Sequence, residues 1–307
     1  MLCILFYYII QVSKGHKAYV LAYWRDDLLI RHNIREYKAY NSPLKRIKSY
    51  CSPYLQRKDG GKHMIRFILI VLFLGIFFIS SILIFPVVLL IGLFSKKARD
   101  RVSFSIVSWA FGIIIRIAGT KVDIIGYDNI PKDQAVLYVG NHRSMFDIAI
   151  NYWKLPPLLG FVSKIEMKKF PFLSWWMILV KCLFLDRDNI KEGMKTIIKG
   201  TEQLKAGISM FIFPEGTRNK NEYEILEFKE GSLKMAEKAG TLIVPVAITN
   251  TGACFEDHFP KVKKTHVVIE YGKPIDLSAM DKETKKRVGA YTREIIQEMV
   301  NKNRGLI

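Results

Sequence analysis

Residues 67–94, FILIVLFLGIFFISSILIFPVVLLIGLF, form a run of 28 residues without a charge. As one helix such a run is about 42 Å long, against a bilayer hydrocarbon core of about 30 Å. A core helix of a water-soluble domain rarely extends so far without a charge, and a signal peptide has a shorter apolar run and a small-residue cleavage site. The run predicts a membrane helix that either spans the bilayer or, bent at Pro86, stays within one leaflet. Lys96-Lys97-Ala98-Arg99-Asp100-Arg101 follows directly. By the positive-inside rule this cluster and the chain beyond it lie on the cytoplasmic side of the cell membrane. Residues 102–118 form a second apolar helix with only Arg116 charged, which reads as an interfacial partner of the first. Residues 64–118 are thus expected to be a two-helix membrane anchor, with the basic stretch as the only candidate linker.

Residues 1–63 carry 12 Lys and Arg against 4 Asp and Glu and, after Leu2 to Ile10, no sustained apolar period. Gly60-Gly61 stand just before Met64, and if encoded GGA-GGN they would resemble a ribosome-binding site read in frame. The expectation is that translation starts at Met64 and that 1–63 are a gene-start error, a basic leader being the alternative.

The rest, 119–307, alternates apolar β-type runs with helical patterns. Strands are expected near 121–127, 135–139, 158–162, 182–185, 210–213, 242–248 and 266–271, and helices near 147–154, 168–179, 190–205, 229–238 and 282–302. This order predicts an α/β domain in which helices flank a mostly parallel sheet. Across the 307 residues, 47 Lys and Arg against 28 Asp and Glu give a net charge of +19, which calls for an anionic partner. There is no zinc finger, aromatic RNA-binding signature or compact arginine-rich block, so anionic membrane phospholipid is expected rather than nucleic acid. Cys3, Cys51, Cys182 and Cys254 lie far apart, and no His or Cys spacing suggests a metal site.

Asn141-His142-Arg143-Ser144-Met145-Phe146-Asp147 joins the strand at 135–139 to the next helix. On one continuous helix, residues five apart lie about 140° apart and do not face each other. Across a turn, Ser144 can cap the new helix while Asp147, in its first turn, orients one imidazole nitrogen of His142 and leaves the other to take a proton. Such a pair recurs by chance, so its weight depends on further stretches. Lys164 and Arg187 each close an apolar strand run, where α/β sheets carry functional groups, and two such cations can clamp a phosphate. Lys168 and Lys169 read as a solvated or lipid-facing surface. Trp175 and Trp176 suit either a membrane interface or the core.

Phe213-Pro214-Glu215-Gly216-Thr217-Arg218 ends another strand. Pro214 fixes the turn and Gly216 admits close backbone approach, while Thr217 and Arg218 offer a hydroxyl and a guanidinium to phosphate oxygens. Glu215 is expected to orient Arg218 or a substrate hydroxyl. Ile243-Val244-Pro245-Val246 contributes shape.

In this order these blocks resemble those of the glycerolipid acyltransferases, and most of all the bacterial 1-acylglycerol-3-phosphate acyltransferases, which make phosphatidic acid. The resemblance covers about 64–307, including Phe228-Lys229-Glu230-Gly231-Ser232, and residues 1–63 have no counterpart. Cys182 is a departure, since the family often has Gly there. The resemblance implies a glycerol-3-phosphate acyltransferase-like α/β fold and direct acyl transfer without a bound cofactor. His142, oriented by Asp147, would deprotonate the sn-2 hydroxyl of lysophosphatidic acid, which attacks the thioester of acyl-acyl carrier protein or acyl-coenzyme A. Arg218, Lys164 and Arg187 would hold the phosphate, with Glu215, Gly216 and Thr217 in the same site and Asn141, Pro214 and Pro245 in support. A backbone amide near His142 is one candidate for the oxyanion donor. Competing readings are a related acyltransferase acting on glycerol 3-phosphate, a lysophospholipid or an acylated amino acid, a lysophospholipid hydrolase, and a non-catalytic lipid-binding module that would need neither His142 nor Asp147.

Overall fold

The computed structural model describes residues 43–221 and 223–307, with side chains from residue 61. Most of the expected leader, residues 1–42, lies outside the described residues. The chain divides into two units, Met1–Ile65 and Arg66–Ile307.

Helix α1 (Pro43–Phe94) contains the uncharged run and α2 (Lys96–Ala118) follows after the single residue Ser95. The stretches Gly61–Phe94 and Lys96–Ala118 are each long and apolar enough to cross a membrane. On α1, Ile70, Leu74, Phe77, Ser81, Phe85 and Val88 are buried. Their spacing of three and four places them on one face. The remaining faces leave Leu72, Ile76, Ile79, Leu83 and Leu93 more than half exposed, an apolar surface of the kind that water-soluble monomers rarely present and that suits lipid.

The basic stretch 96–101, expected as a linker, instead forms the first turns of α2. Ser95 caps that helix by accepting from the Ala98 amide at 3.2 Å. Arg99 packs over Gly92, and Asp100 pairs with Lys181 at 2.6 Å. These contacts hold a cationic first turn in spite of the positive helix N-terminus.

Seven strands follow: β1 (Lys121–Ile125), β2 (Leu137–Gly140), β3 (Leu159–Lys164), β4 (Leu183–Leu185), β5 (Ser209–Ile212), β6 (Ile243–Thr249) and β7 (His266–Tyr271). They lie in the order β1-β7-β6-β2-β5-β3-β4, all neighbours parallel except the antiparallel β6–β7 pair. The intervening helices are α3 (Met145–Lys154), α4 (Pro171–Leu179), α5 (Ile190–Lys205), α6 (Lys234–Ala239), α7 (Lys282–Lys286) and α8 (Val288–Asn303).

Strand side chains alternate between the two faces of the sheet. Leu137, Val139, Met210, Ile212, Ile243 and Ala247 form one core with residues of α5, α6 and α8, including Leu204, Met235 and Ile296. Tyr138, Phe211 and Phe161 stack on the opposite face, where Phe161 meets Tyr152 of α3. Tyr152 in turn packs on Phe104 and Phe111 of α2. Trp176 of α4 is buried against Phe77 and Phe85 and donates its indole N–H to Ser81 at 2.8 Å, whereas Trp175 is half exposed. Helices α1 and α2 therefore pack on one side of the sheet, with α3 and α4, and α5, α6 and α8 lie on the other.

Candidate active site

Parallel strands β2 and β5 run side by side in the register Leu137↔Met210 to Val139↔Ile212. The loops leaving their carboxyl ends therefore emerge together, at the edge where α/β sheets place ligands. The first loop carries His142 and the second begins at Phe213. The two rings stack with centroids 4.2 Å apart and planes 14° from parallel.

Ser144 is the N-cap of α3 and Asp147 closes a capping box with it. The chain reversal that the cap enforces brings Asp147 back to His142, whose Nδ1 lies 2.8 Å from Oδ2 of the carboxylate. The same oxygen accepts the backbone amides of Arg143 and Ser144, each at 2.8 Å. Asp147 is fully buried and the His142 side chain is 16% exposed. With Nδ1–H directed at a carboxylate, the tautomer is set and the Nε2 lone pair is left as base. Among the described residues Nε2 has no hydrogen-bond partner.

Both carboxylate oxygens of Glu215 accept backbone amides. One oxygen accepts the His142 amide at 2.6 Å and the other the Leu226 amide at 3.0 Å, so the carboxylate ties the His142 loop to its own loop and closes that loop on itself. Burial pushes its pKa up, against the two amides that pull it down. The amides of 142, 143 and 144 are all paired with carboxylates. Asn141 is a clamp as well, exchanging two hydrogen bonds of 2.8 Å with the Ile248 backbone at the end of β6.

Arg218 is held by Glu256 at 3.2 Å. Glu256 accepts the Ser144 hydroxyl at 2.6 Å and the Met145 amide at 2.8 Å, so it supports the start of α3 from a distant loop, and burial raises its pKa. Pairing across 112 positions is not legible from sequence spacing. Arg143 reaches the carbonyls of Asn219 and Lys220 and the Asp257 carboxylate, which fastens the histidine loop to the segments on either side.

Gly216 has φ +71°, a left-handed turn that favours glycine. Arg187 donates to its carbonyl, and the Lys229 ammonium approaches the same residue. Lys164, the last residue of β3, pairs with Glu166 at 3.1 Å and is half exposed. Arg187 and Lys229 thus stand together at the Gly216 turn and Arg218 on its Glu256 side, with Thr217 exposed between. Lys229 belongs to this cationic group although neither its position nor its spacing marked it as a site residue. Pro214 is buried in the same turn, where its carbonyl accepts the Lys229 amide at 3.2 Å. Pro245 pairs with Val139 in the β6–β2 register, and its carbonyl accepts the Gly272 amide at 2.8 Å. Among the described residues no group of His, Cys, Asp and Glu is arranged to hold a metal.

The acyltransferase family model matches residues 121–249, a segment that contains both loops. The chain is 30% identical over 185 residues to a 1-acyl-sn-glycerol-3-phosphate acyltransferase of Saccharomyces cerevisiae, covering 60% of each chain. It is 34% identical over 155 residues to that of Borreliella burgdorferi, covering 50% of this chain and 62% of the relative. It is 32% identical over 189 residues to a probable 1-acyl-sn-glycerol-3-phosphate acyltransferase of Mycoplasma pneumoniae, covering 56% and 70%. The chain thus spans about three fifths of the length of the first two relatives. In fold it is similar to the crystal structure of the 1-acyl-sn-glycerophosphate acyltransferase of Thermotoga maritima, with TM-score 0.66 and 23% identity over 79% of this chain and 98% of that one. By these matches the chain belongs to the 1-acyl-sn-glycerol-3-phosphate acyltransferase family.

Proposed function

We propose that this chain transfers a fatty acyl group from an acyl thioester to the sn-2 hydroxyl of 1-acylglycerol 3-phosphate, giving phosphatidic acid. The observation that carries this reading is the His142–Asp147 pair, with Nε2 unoccupied, at the mouth of a turn lined with cations. In the proposed reaction, Nε2 takes the sn-2 proton as the oxygen attacks the thioester carbonyl. The tetrahedral intermediate then collapses, the C–S bond breaks, and the imidazolium returns its proton to the leaving thiolate. Asp147 keeps the ring in one tautomer and stabilises its charged form. No nucleophilic side chain is required, because the hydroxyl attacks directly.

Arg187, Lys229, Lys164 and Arg218, with the Thr217 hydroxyl, are the proposed phosphate ligands. A site built from guanidinium and ammonium groups favours a phosphorylated acceptor over a neutral one. The donor is acyl-acyl carrier protein or acyl-coenzyme A. We place the anchor at 64–118, the acyltransferase domain at 119–307, and that domain on the cytoplasmic side, as the Lys and Arg of 96–101 favour.

The test offers a labelled acyl thioester to membranes containing the full chain, with lysophosphatidic acid, glycerol 3-phosphate or lysophosphatidylethanolamine as acceptor. Labelled phosphatidic acid from the first acceptor alone is the expected result. Product from another acceptor moves the substrate, and release of free fatty acid alone replaces transfer by hydrolysis.

A further inference from the structure

Helix α5 presents two kinds of surface. Its inner face buries Thr196, Gly200, Thr201 and Leu204, and its outer face leaves Ile190 82%, Met194 58% and Ile198 46% exposed. Residues four apart advance only about 40° round a helix, so these three form one apolar row about 12 Å long. Lys191, Lys195 and Lys199 form a basic row beside it, all exposed, with Lys195 also paired to Glu192 at 2.6 Å. A solvated helix face has no need of three large apolar side chains in register, and apolar residues rimmed by like charges mark interaction surfaces.

The sheet decides between membrane and protein as occupant. Helix α5 packs on the face formed by Leu137, Val139, Met210 and Ile212, and α2 packs behind the opposite face through Phe104, Phe111 and Tyr152. The outer side of α5 therefore points away from the anchor, with the sheet between them. The row also begins at the site, since Ile190 opens the helix three residues after Arg187, which touches the Gly216 turn.

We infer that the outer face of α5 docks an acidic acyl-carrier protein, with Ile190, Met194 and Ile198 meeting an apolar strip on the carrier and Lys191, Lys195 and Lys199 meeting its carboxylates. A carrier seated there delivers a tethered thioester to the carboxyl-terminal edge of the sheet from the side not occupied by the anchor. The inference rests on the acyl-transfer reading and specifies its donor. Charge complementarity favours the carrier over a second copy of this chain, whose own α5 is basic.

The test compares palmitoyl-acyl carrier protein with palmitoyl-coenzyme A as donors for the full chain in membranes, with lysophosphatidic acid as acceptor. Two variants are used, Lys191→Glu/Lys195→Glu/Lys199→Glu and the milder Met194→Ser/Ile198→Ser. The KM for the carrier-bound donor should rise tenfold or more in each, with the KM values for palmitoyl-coenzyme A and lysophosphatidic acid within twofold of the parent. An unchanged carrier KM, or an equal loss with both donors, overturns the inference. So does a variant whose main defect is weaker binding to phosphatidylglycerol vesicles. A parent chain that uses palmitoyl-coenzyme A alone also overturns it and leaves the acyl-transfer reading intact, whereas a parent that uses neither donor removes both.

Discussion

At the scale of the residue, one carboxylate oxygen of Asp147 performs three tasks, since it orients His142 and accepts the amides of Arg143 and Ser144. Asp147→Asn keeps the shape but removes the charge that stabilises an imidazolium. Its kcat should fall by about 10²–10⁴-fold, the range of a lost general base, with little change in the KM for acceptor; an equal rise in KM would place Asp147 in binding instead. Glu215 gives a prediction in pH. Burial raises its pKa from an ordinary value near 4.5, so the folded chain holds this proton more tightly than the unfolded one. The stability so gained is complete below about pH 4.5 and is lost as pH rises through the higher folded value. Thermal melts of parent and Glu215→Gln should differ most near pH 4.5, with the advantage of the parent narrowing toward neutrality. A gap that widened with pH would reverse the assignment.

At the scale of the element, the turn at Gly216 and the contact between α1 and α4 are the points most open to test. Gly216→Ala forces a β-carbon into a left-handed conformation at about 1–2 kcal/mol and brings it to within 3.4 Å of Lys229. The KM for the phosphorylated acceptor should rise more than kcat falls. Ser81→Ala leaves the buried Trp176 indole N–H without its acceptor, and should cost about 1–3 kcal/mol of stability, read as a lower melting temperature in detergent. All seven strands were legible as apolar β-type runs, as was the capped start of α3, because local pattern determines both. The antiparallel turn of β7 was not, since its direction depends on which neighbour it joins. The amide partners of Glu215 are not legible for a related reason. Beside Arg218 in sequence, it looks like that residue's partner, but its oxygens accept one amide from the His142 loop and one from farther along its own loop, and Arg218 pairs with Glu256. Lys229 was hidden by separation, reaching the cationic turn only once its loop folds back over Gly216.

At the scale of the molecule, the sheet separates two environments. The side packed by α1 and α2 carries exposed apolar surface that suits lipid, and the opposite side carries the basic and apolar face of α5. The site opens at the edge between them, where a lipid acceptor and a soluble donor can approach from different sides. The account stands or falls on His142 as the base. The most direct measurement is single-turnover acyl transfer by the His142→Ala chain in membranes, with lysophosphatidic acid binding measured in parallel. The account predicts that transfer is lost by at least about 10²-fold and that the acceptor still binds. Transfer at a near-parental rate would contradict it.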